Sequence, residues 1–161
     1  MAKVYGYTVK GIKTFVGCEG YGIQGEIYYG KKEIAWYSDS GDGGTPDIEI
    51  IGTREQQQDV LHHLKVAADR YYAEHPQIQC FEFIPKHEQF ISEIILLIED
   101  ERAYKRLVKL GYGNMLVYSV PENGIVNRIG LMTEEAVNNF IGNSKVVVEK
   151  IYKNLSDFII E

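Results

Sequence analysis

Polar and apolar residues alternate in the first third of the chain with the two-residue period of β-strands, and residues 3–51 show no helical period. The clearest element is a hairpin over residues 23–38, in which two strands flank the dipeptide Gly30-Lys31. Glycine at the first central position suits a two-residue type II′ turn, because it accepts the positive φ angle that this turn requires. The pattern therefore predicts antiparallel strands in this part of the chain.

The turn also predicts the register of the hairpin, because a two-residue loop places Tyr29 opposite Lys32. Counting outward from this pair, the face that carries Ile27, Ile34 and Trp36 is apolar and is expected to face the core. The other face is expected to be exposed, and it combines carboxylates with aromatic rings: Glu26, Tyr28, Glu33 and Tyr37. One apolar and one polar face are typical of a half-buried antiparallel pair.

A helical period begins after Thr53. Thr53 and Gln56, three residues apart, match a capping box, in which each side chain accepts a hydrogen bond from the other residue's backbone N–H. Apolar residues then recur at helical spacing until His75-Pro76, where the proline disfavours a further turn. We therefore predict a first helix between Thr53 and His75.

A short apolar run over residues 77–84 is predicted to form a strand. A second helix is predicted from about His87, and its helical period continues or restarts up to Val108. Gly111 is expected to stop it in the left-handed conformation.

Residues 114–120 and 125–131 are predicted to pair as a second hairpin, with Asn123-Gly124 as its turn signal. Beyond it, Thr133 is expected to cap a short helix that carries carboxylates in its first turn.

A last helix is predicted to begin at Ser144, with these residues on its apolar side: Val148, Ile151, Leu155, Phe158 and Ile159. The predicted fold class is α+β: N-terminal antiparallel β-hairpins packed with about four to five helices, and a second hairpin in the C-terminal half. We expect one domain over residues 1–161, strand-rich over residues 1–52 and mixed over residues 53–161.

The chain carries a formal net charge of −6, spread evenly along its length. Residues 1–80 hold 8 basic and 11 acidic residues, and residues 81–161 hold 9 and 12, so each half is −3. Because a phosphate-binding surface needs clustered Lys and Arg, direct nucleic-acid binding is not expected. An acidic surface can instead meet a basic partner protein.

Three further features of the sequence bear on the cellular location. No apolar run approaches the length of about 18 residues that a membrane-spanning helix needs, and the N-terminus has no apolar signal segment. The two cysteines, Cys18 and Cys80, do not make a disulfide scaffold. We therefore expect a cytoplasmic protein without a membrane segment; the oligomeric state stays open.

An acidic stretch follows the first hairpin. Between Lys32 and Arg54 there is no basic residue, and there are five acids: Glu33, Asp39, Asp42, Asp47 and Glu49. Calcium accepts such oxygens, but the spacing does not match the alternate positions of an EF-hand loop. Three interpretations remain: a solvated turn, an acidic contact surface and, as the alternative, a metal site. We expect no metal and no cofactor.

The sequence contains none of the local motifs of common enzymes. It has no His-Glu-x-x-His, no Cys-x-x-Cys, no phosphate loop and no nucleophile elbow. The glycines over residues 17–25 precede a strand rather than a helix, so they do not form a dinucleotide-binding motif. A site assembled only by folding stays open, and its candidate residues are Asp39, Asp42, Asp59, His62 and His63.

Tyrosine is the most unusual feature, with twelve residues in the chain and six of them in the first 37. Protein interfaces favour tyrosine because it offers a large contact area at low entropic cost, although tyrosine also fits strands. On the first interpretation, Tyr28 and Tyr37 would be the centre of a partner-binding surface and Asp39 and Asp42 its rim. This assignment rests on the predicted register of the hairpin.

Residues 12–50 resemble small accessory proteins of phages and mobile elements. The resemblance rests on closely spaced glycines from Gly17 to Gly22, the stretch Tyr28-Tyr29-Gly30-Lys31-Lys32-Glu33-Ile34-Ala35, and the loop Asp39-x-Gly41-Asp42-Gly43-Gly44. It implies an anti-defence role, such as that of anti-CRISPR proteins, which bind an RNA-guided nuclease. It supplies no binding residue, because the shared pattern is structural.

The sequence is therefore consistent with three functional hypotheses. The first is a non-catalytic phage or mobile-element protein that binds a basic host protein such as a defence nuclease, as an inhibitor of that nuclease would. The second is a small enzyme or ligand-binding domain whose site forms only in the fold. The third is a self-associating assembly subunit joined through strand edges.

Overall fold

Five strands precede two consecutive helices in the computed structural model, and a mixed segment of strands and one further helix follows. The structure describes residues 1–122, 124–143 and 145–161, without the side chain of Asn143. The strands are β1 (Lys3–Val4), β2 (Tyr7–Val16), β3 (Tyr21–Tyr29), β4 (Lys32–Asp39), β5 (Asp47–Ile50), β6 (Asn114–Ser119), β7 (Val126–Leu131), β8 (Val147–Tyr152) and β9 (Ile159–Ile160). The helices are α1 (Arg54–Glu74), α2 (Lys86–Lys109) and α3 (Glu134–Asn143), with a 3₁₀ turn over Leu155–Phe158.

The α+β class is confirmed, whereas the predicted number of helices is too high. The described residues form three α-helices, not four to five. The chain packs as two compact units, an N-terminal unit of residues 2–97 with Glu161, and a C-terminal unit of Met1 with residues 98–160. A single domain over residues 1–161 stays a prediction. No helix of the described residues is long and apolar enough to cross a membrane.

The N-terminal unit is built on antiparallel strands in the order β5-β4-β3-β2-β1. One face of this sheet packs against helical residues, since the Tyr7 ring meets the Phe90 ring edge-on at 5.9 Å. Tyr71 of α1 lies 5.5 Å from the same ring. The core between sheet and helices is closed by side chains that are almost completely buried: Val9, Ile27, Ala35, Leu64, Ala68, Ile91 and Ile94.

The predicted hairpin register holds at the turn and is wrong beyond it. Gly30 adopts φ 60°, as the turn requires, and Tyr29 pairs with Lys32. The predicted pair Tyr28–Glu33 also forms, and the shift begins after it, because Ile27 pairs with Ala35 and leaves Ile34 as an extra residue. Two residues of β4 thus oppose one residue of β3, which is a β-bulge.

The bulge exchanges the two faces of β4, because a shift of one residue moves every following side chain to the other face. Trp36 was predicted to face the core and is instead 46 % exposed. Tyr37 was predicted to be exposed and is 2 % exposed. The assignment of the first hairpin is therefore correct, whereas that of its core aromatic residue is not.

Helices α1 and α2 begin and end as their sequence signals predict. The Thr53 hydroxyl accepts from the Gln56 N–H and the Gln56 amide oxygen accepts from the Thr53 N–H, which confirms the capping box. Helix α1 stops before His75, and α2 runs without a break to Lys109. Gly111 follows at φ 93°, the left-handed angle expected of a helix stop.

The strand predicted over residues 77–84 is absent, and this segment is an irregular loop of turns. The buried side-chain amide of Gln89 forms the backbone hydrogen bonds that a neighbouring strand would otherwise form. Its Oε1 accepts from the Phe81 N–H at 2.8 Å, and its Nε2 donates to the carbonyls of Phe81 and Ile84 at 2.8 and 2.7 Å. Because these bonds satisfy the backbone locally, the loop needs no neighbouring strand.

The C-terminal unit contains the second predicted hairpin. Strand β6 lies at the centre of a three-stranded antiparallel sheet in the order β7-β6-β8. Thr133 caps α3, since its hydroxyl accepts from the Ala136 N–H at 3.1 Å. Helix α3 packs on this sheet through Phe140, whose ring lies 5.2 Å from that of Tyr118. The turn residue Asn123 lies outside the described residues.

The last predicted helix is wrong, because this segment forms β8 and a 3₁₀ turn. The run Val146-Val147-Val148 explains the difference, since β-branched side chains lose rotamer freedom in a helix and pack well on a pleated sheet. The predicted cap, Ser144, lies outside the described residues.

A charged group lies in the core of the C-terminal unit. The Asp100 carboxylate, which is 3 % exposed, accepts from the Arg128 guanidinium at 2.6 Å and from the Tyr152 hydroxyl at 2.9 Å. These contacts connect α2 with β7 and β8. They satisfy a carboxylate whose burial without partners would be costly.

Candidate protein-binding surface

The face of the N-terminal sheet opposite its helices is an aromatic surface rimmed by carboxylates. Residues directly opposite one another in neighbouring antiparallel strands point to the same face. The pairs Lys10–Glu26, Glu26–Trp36 and Trp36–Glu49 therefore make one row across four strands. We call this surface the outer sheet face; its members are Lys10, Lys13, Gln24, Glu26, Tyr28, Glu33, Trp36, Ser38, Asp47 and Glu49.

Trp36 is the centre of the outer sheet face. It is the chain's one tryptophan, and 46 % of its surface is exposed. Its cross-strand neighbours on both sides, Glu26 and Glu49, are carboxylates. The indole thus lies between two negative charges in the row of cross-strand pairs.

Tyr28 is also on the outer sheet face, as predicted, but its polar and aromatic groups are already engaged. Its hydroxyl donates to Glu26 at 3.2 Å and to Glu33 at 3.4 Å. The Lys10 ammonium lies over its ring, 3.8 Å from the centroid. Desolvation, followed by the two nearby carboxylates, raises the pKa of Tyr28 above its ordinary value. Tyr28 therefore holds Glu26, one of the two carboxylates beside Trp36, more than it offers a free surface.

Tyr37 cannot have the surface position that the sequence predicted. It lies in the core of the N-terminal unit, and its hydroxyl forms a 2.8 Å hydrogen bond with the Ser92 hydroxyl. Burial is the largest of the effects that raise its pKa. A partner protein would have to open the sheet to reach this ring.

Asp39 and Asp42 have structural partners in the acidic loop. Asp39 accepts from the Gly41 N–H and Asp42 from the Cys18 N–H, both at 2.9 Å. The bond from Cys18 is the main reason why the pKa of Asp42 is lowered. The loops before β3 and after β4 are thereby joined, because the Glu19 N–H also donates to the Gly41 carbonyl at 3.1 Å.

Of the residues proposed for a site formed by folding, Asp39 and Asp42 accept from the backbone of the acidic loop, and the other three lie together on α1. Asp59 and His63 lie one helical turn apart on α1, with 3.7 Å between Oδ2 and Nδ1. The His62 and His63 rings are 5.8 Å apart. In the described part of the chain, no group of three or more His, Cys, Asp or Glu side chains is placed to hold a metal ion.

Sequence reasoning missed Trp36 as a member of the candidate surface, and it placed Glu49 in the acidic stretch without naming it among the binding residues. The sequence identifies the acidic segment, but a regular strand register places Trp36 in the core. The adjacent pair Ile34-Ala35 was the available signal, since two consecutive apolar residues interrupt strict alternation in β4. Both are buried, as a bulge that turns two neighbours to one side allows.

Comparisons with protein-family models, with curated proteins and with solved structures find no match to this chain. The phage and anti-CRISPR resemblance stays a prediction. The function is therefore argued from the geometry of the chain's own residues.

Proposed function

We propose that this is a non-catalytic binding protein that docks a basic surface of a partner protein on the outer sheet face. The observation that carries the proposal is Trp36, half exposed between the carboxylates of Glu26 and Glu49. The described residues of its own unit leave this ring half exposed, and tryptophan is enriched among the side chains that contribute most to binding in protein interfaces.

The chemistry of this row suits an arginine or lysine of the partner. A guanidinium can stack on the indole face, where the ring quadrupole attracts a cation. The flanking carboxylates can then accept charge-assisted hydrogen bonds from the same group. The outer sheet face is acidic, because it carries four carboxylates and only two lysines. The carboxylates are Glu26, Glu33, Asp47 and Glu49, and the lysines are Lys10 and Lys13.

The partner that we propose is a host defence nuclease, in keeping with the phage resemblance. Nucleases that hold DNA or RNA present clustered Lys and Arg to the phosphates. An acidic surface with an aromatic centre complements such a cluster and can occupy it in place of nucleic acid. On this proposal the protein is an inhibitor that acts by binding alone, in the cytoplasm of the host.

Surface plasmon resonance with an immobilised, guide-loaded RNA-guided nuclease tests the proposal. Trp36→Ala is expected to raise the Kd roughly 30-fold through faster dissociation, since a central aromatic contributes about 2 kcal/mol. Glu26→Gln combined with Glu49→Gln is expected to slow association, and this loss should shrink at high salt because exposed charges are screened.

The matched control is Phe83→Ala, which removes an aromatic ring that is 74 % exposed in the loop between α1 and α2. It should leave both rate constants within twofold. Binding that Phe83→Ala weakens and Trp36→Ala does not would place the interface elsewhere. Absence of binding to any RNA-guided nuclease would refute the proposed partner class.

A further inference from the structure

We infer that the N-terminal unit has a second, separate binding site, a groove for a small ligand that joins an oxyanion to an aromatic or apolar body. The groove has a volume of about 550 Å³ and lies between α1 and the β3–β4 turn. Cavities of roughly 300–1,000 Å³ are typical of small-molecule sites. Its lining is mostly apolar and aromatic, and it includes Tyr7, Tyr29, Lys32, Ile34, Val60 and Ala67.

Strand register places three of these groove residues in one row. Tyr7 of β2 is directly opposite Tyr29 of β3, which is directly opposite Lys32 of β4. The three side chains therefore point to one face, and the two tyrosine rings are 4.9 Å apart between centroids. The row therefore consists of two aromatic rings followed by the ammonium group of Lys32.

The hydrogen-bond donors of this row have no acceptor in the described part of the chain. Tyr7 is 5 % exposed, lines the groove, and its hydroxyl makes no hydrogen bond to a described residue. The Tyr7 hydroxyl is not among the buried polar atoms that lack a partner, so it is open to the solvent of the groove and can donate to a ligand there. The Lys32 ammonium likewise has no ion pair among the described residues. Burial, followed by the neighbouring Tyr29, raises the pKa of Tyr7 to about 12, so its hydroxyl keeps its proton at neutral pH.

Donors without acceptors favour an anionic oxygen. A carboxylate, phosphate or sulfonate could accept from the Tyr7 hydroxyl and pair with the Lys32 ammonium. The other charged groups of the groove are already engaged, since Asp59 faces His63 and Arg70 is bonded to Glu74 at 2.8 Å. Lys32 is therefore the cation left for the ligand.

The groove wall is held in place before any ligand arrives. Tyr5 has φ 49°, a left-handed angle that is strained for a residue with a side chain. Its hydroxyl donates to Glu74 at 2.6 Å, and the Arg70 guanidinium lies 4.0 Å from its ring centroid. These contacts maintain the strained conformation, and they preorganise an aromatic wall for a flat ligand.

The test uses 8-anilinonaphthalene-1-sulfonate, an aromatic sulfonate whose fluorescence rises in apolar sites, with N-phenyl-1-naphthylamine as its uncharged counterpart. The folded protein is expected to bind the sulfonate saturably at one site. Lys32→Gln should weaken this binding at least fivefold and leave the uncharged probe within twofold. Tyr7→Phe, which keeps the ring, should weaken the sulfonate about threefold through the lost hydrogen bond.

Lys31→Gln is the matched control, because it removes the same charge one residue away, outside the groove lining. It should change sulfonate binding less than twofold. Phenylacetate or phenyl phosphate should displace the probe, and the more effective of the two identifies the preferred oxyanion. Benzyl alcohol, which carries no negative charge, should not displace it. Equal effects of Lys31→Gln and Lys32→Gln, no saturable binding, or displacement by neither anion would overturn the inference.

Discussion

Glu88, in the first turn of α2, has a carboxylate whose burial is expected to lower the free energy of unfolding at neutral pH. Its Oε2 atom is buried and has no hydrogen-bond partner among the described residues. Desolvation, and after it the charge of Asp47, raises the pKa of Glu88 above its ordinary value. The folded state therefore binds a proton at Glu88 more tightly than the unfolded state does.

Glu88→Gln is expected to stabilise the protein at pH 7, by about 0.5–1 kcal/mol after allowance for partial exposure. Because the folded pKa is raised, the wild-type side chain costs nothing below its unfolded pKa near 4.5, and its penalty grows as pH rises through the folded value. Chemical denaturation at pH 4 and pH 7 checks this, and the advantage of Glu88→Gln should be present at pH 7 and nearly absent at pH 4.

Glu55→Gln is the control, because Glu55 also lies in the first turn of a helix but is exposed. It should lower stability slightly at pH 7, through the lost interaction with the helix dipole. A Glu88→Gln protein that is less stable than wild type at pH 7 would show that this carboxylate has a favourable partner.

Trp36 and Tyr37 show what could be predicted at the residue scale and what could not. Composition and alternation identified the strand, its aromatic residues and the acids around it. One extra residue, Ile34, decided which ring is buried. That choice depends on packing against α1 and α2, which strand periodicity does not contain.

At the scale of elements, the helices were predicted well wherever caps and a long apolar stripe coincided. Helix α1 had a capping box, a stripe and a proline after its end. The segment over residues 147–159 had an apolar helical period but no capping box. Its β-branched valines favour a strand, and β8 pairs with β6 instead of forming a helix. Short apolar runs are ambiguous between strand and helix until their partners are known.

The loop between α1 and α2 depends on Gln89, and this dependence can be tested. Gln89→Leu retains the bulk of the side chain but leaves the Phe81 N–H and the carbonyls of Phe81 and Ile84 without their partner. We expect a loss of about 1–3 kcal/mol, because part-buried backbone groups become unsatisfied. Hydrogen exchange of the Phe81 amide should accelerate, as should proteolysis within the loop.

Gln79→Leu is the comparison for the loop, since Gln79 is exposed in the same segment. Its effect on unfolding free energy should stay within about 0.5 kcal/mol. If both leucine variants unfold alike, Gln89 does not hold the loop.

At the scale of the whole molecule, each of the two compact units has its own core. The C-terminal unit is connected internally through Asp100, which joins Arg128 and Tyr152. Asp100→Ala is expected to cost about 3–5 kcal/mol, because it leaves the guanidinium without its buried partner. Tyr152→Phe removes one hydrogen bond and should cost about 1 kcal/mol.

Urea denaturation followed by circular dichroism measures both variants. An Asp100→Ala protein as stable as Tyr152→Phe would mean that solvent replaces the carboxylate at little cost. Glu99→Ala, one position earlier on α2 and less buried, is the control for helix propensity.

The central claim is that Trp36 lies in the interface with a basic protein, and it can be observed directly. Because the chain has one tryptophan, incorporation of 5-fluorotryptophan gives a single ¹⁹F resonance that the partner does not contribute to. Titration with a guide-loaded RNA-guided nuclease should shift or broaden this resonance in a saturable way, and high salt should weaken the effect. Binding seen by surface plasmon resonance with an unchanged ¹⁹F signal would contradict the claim.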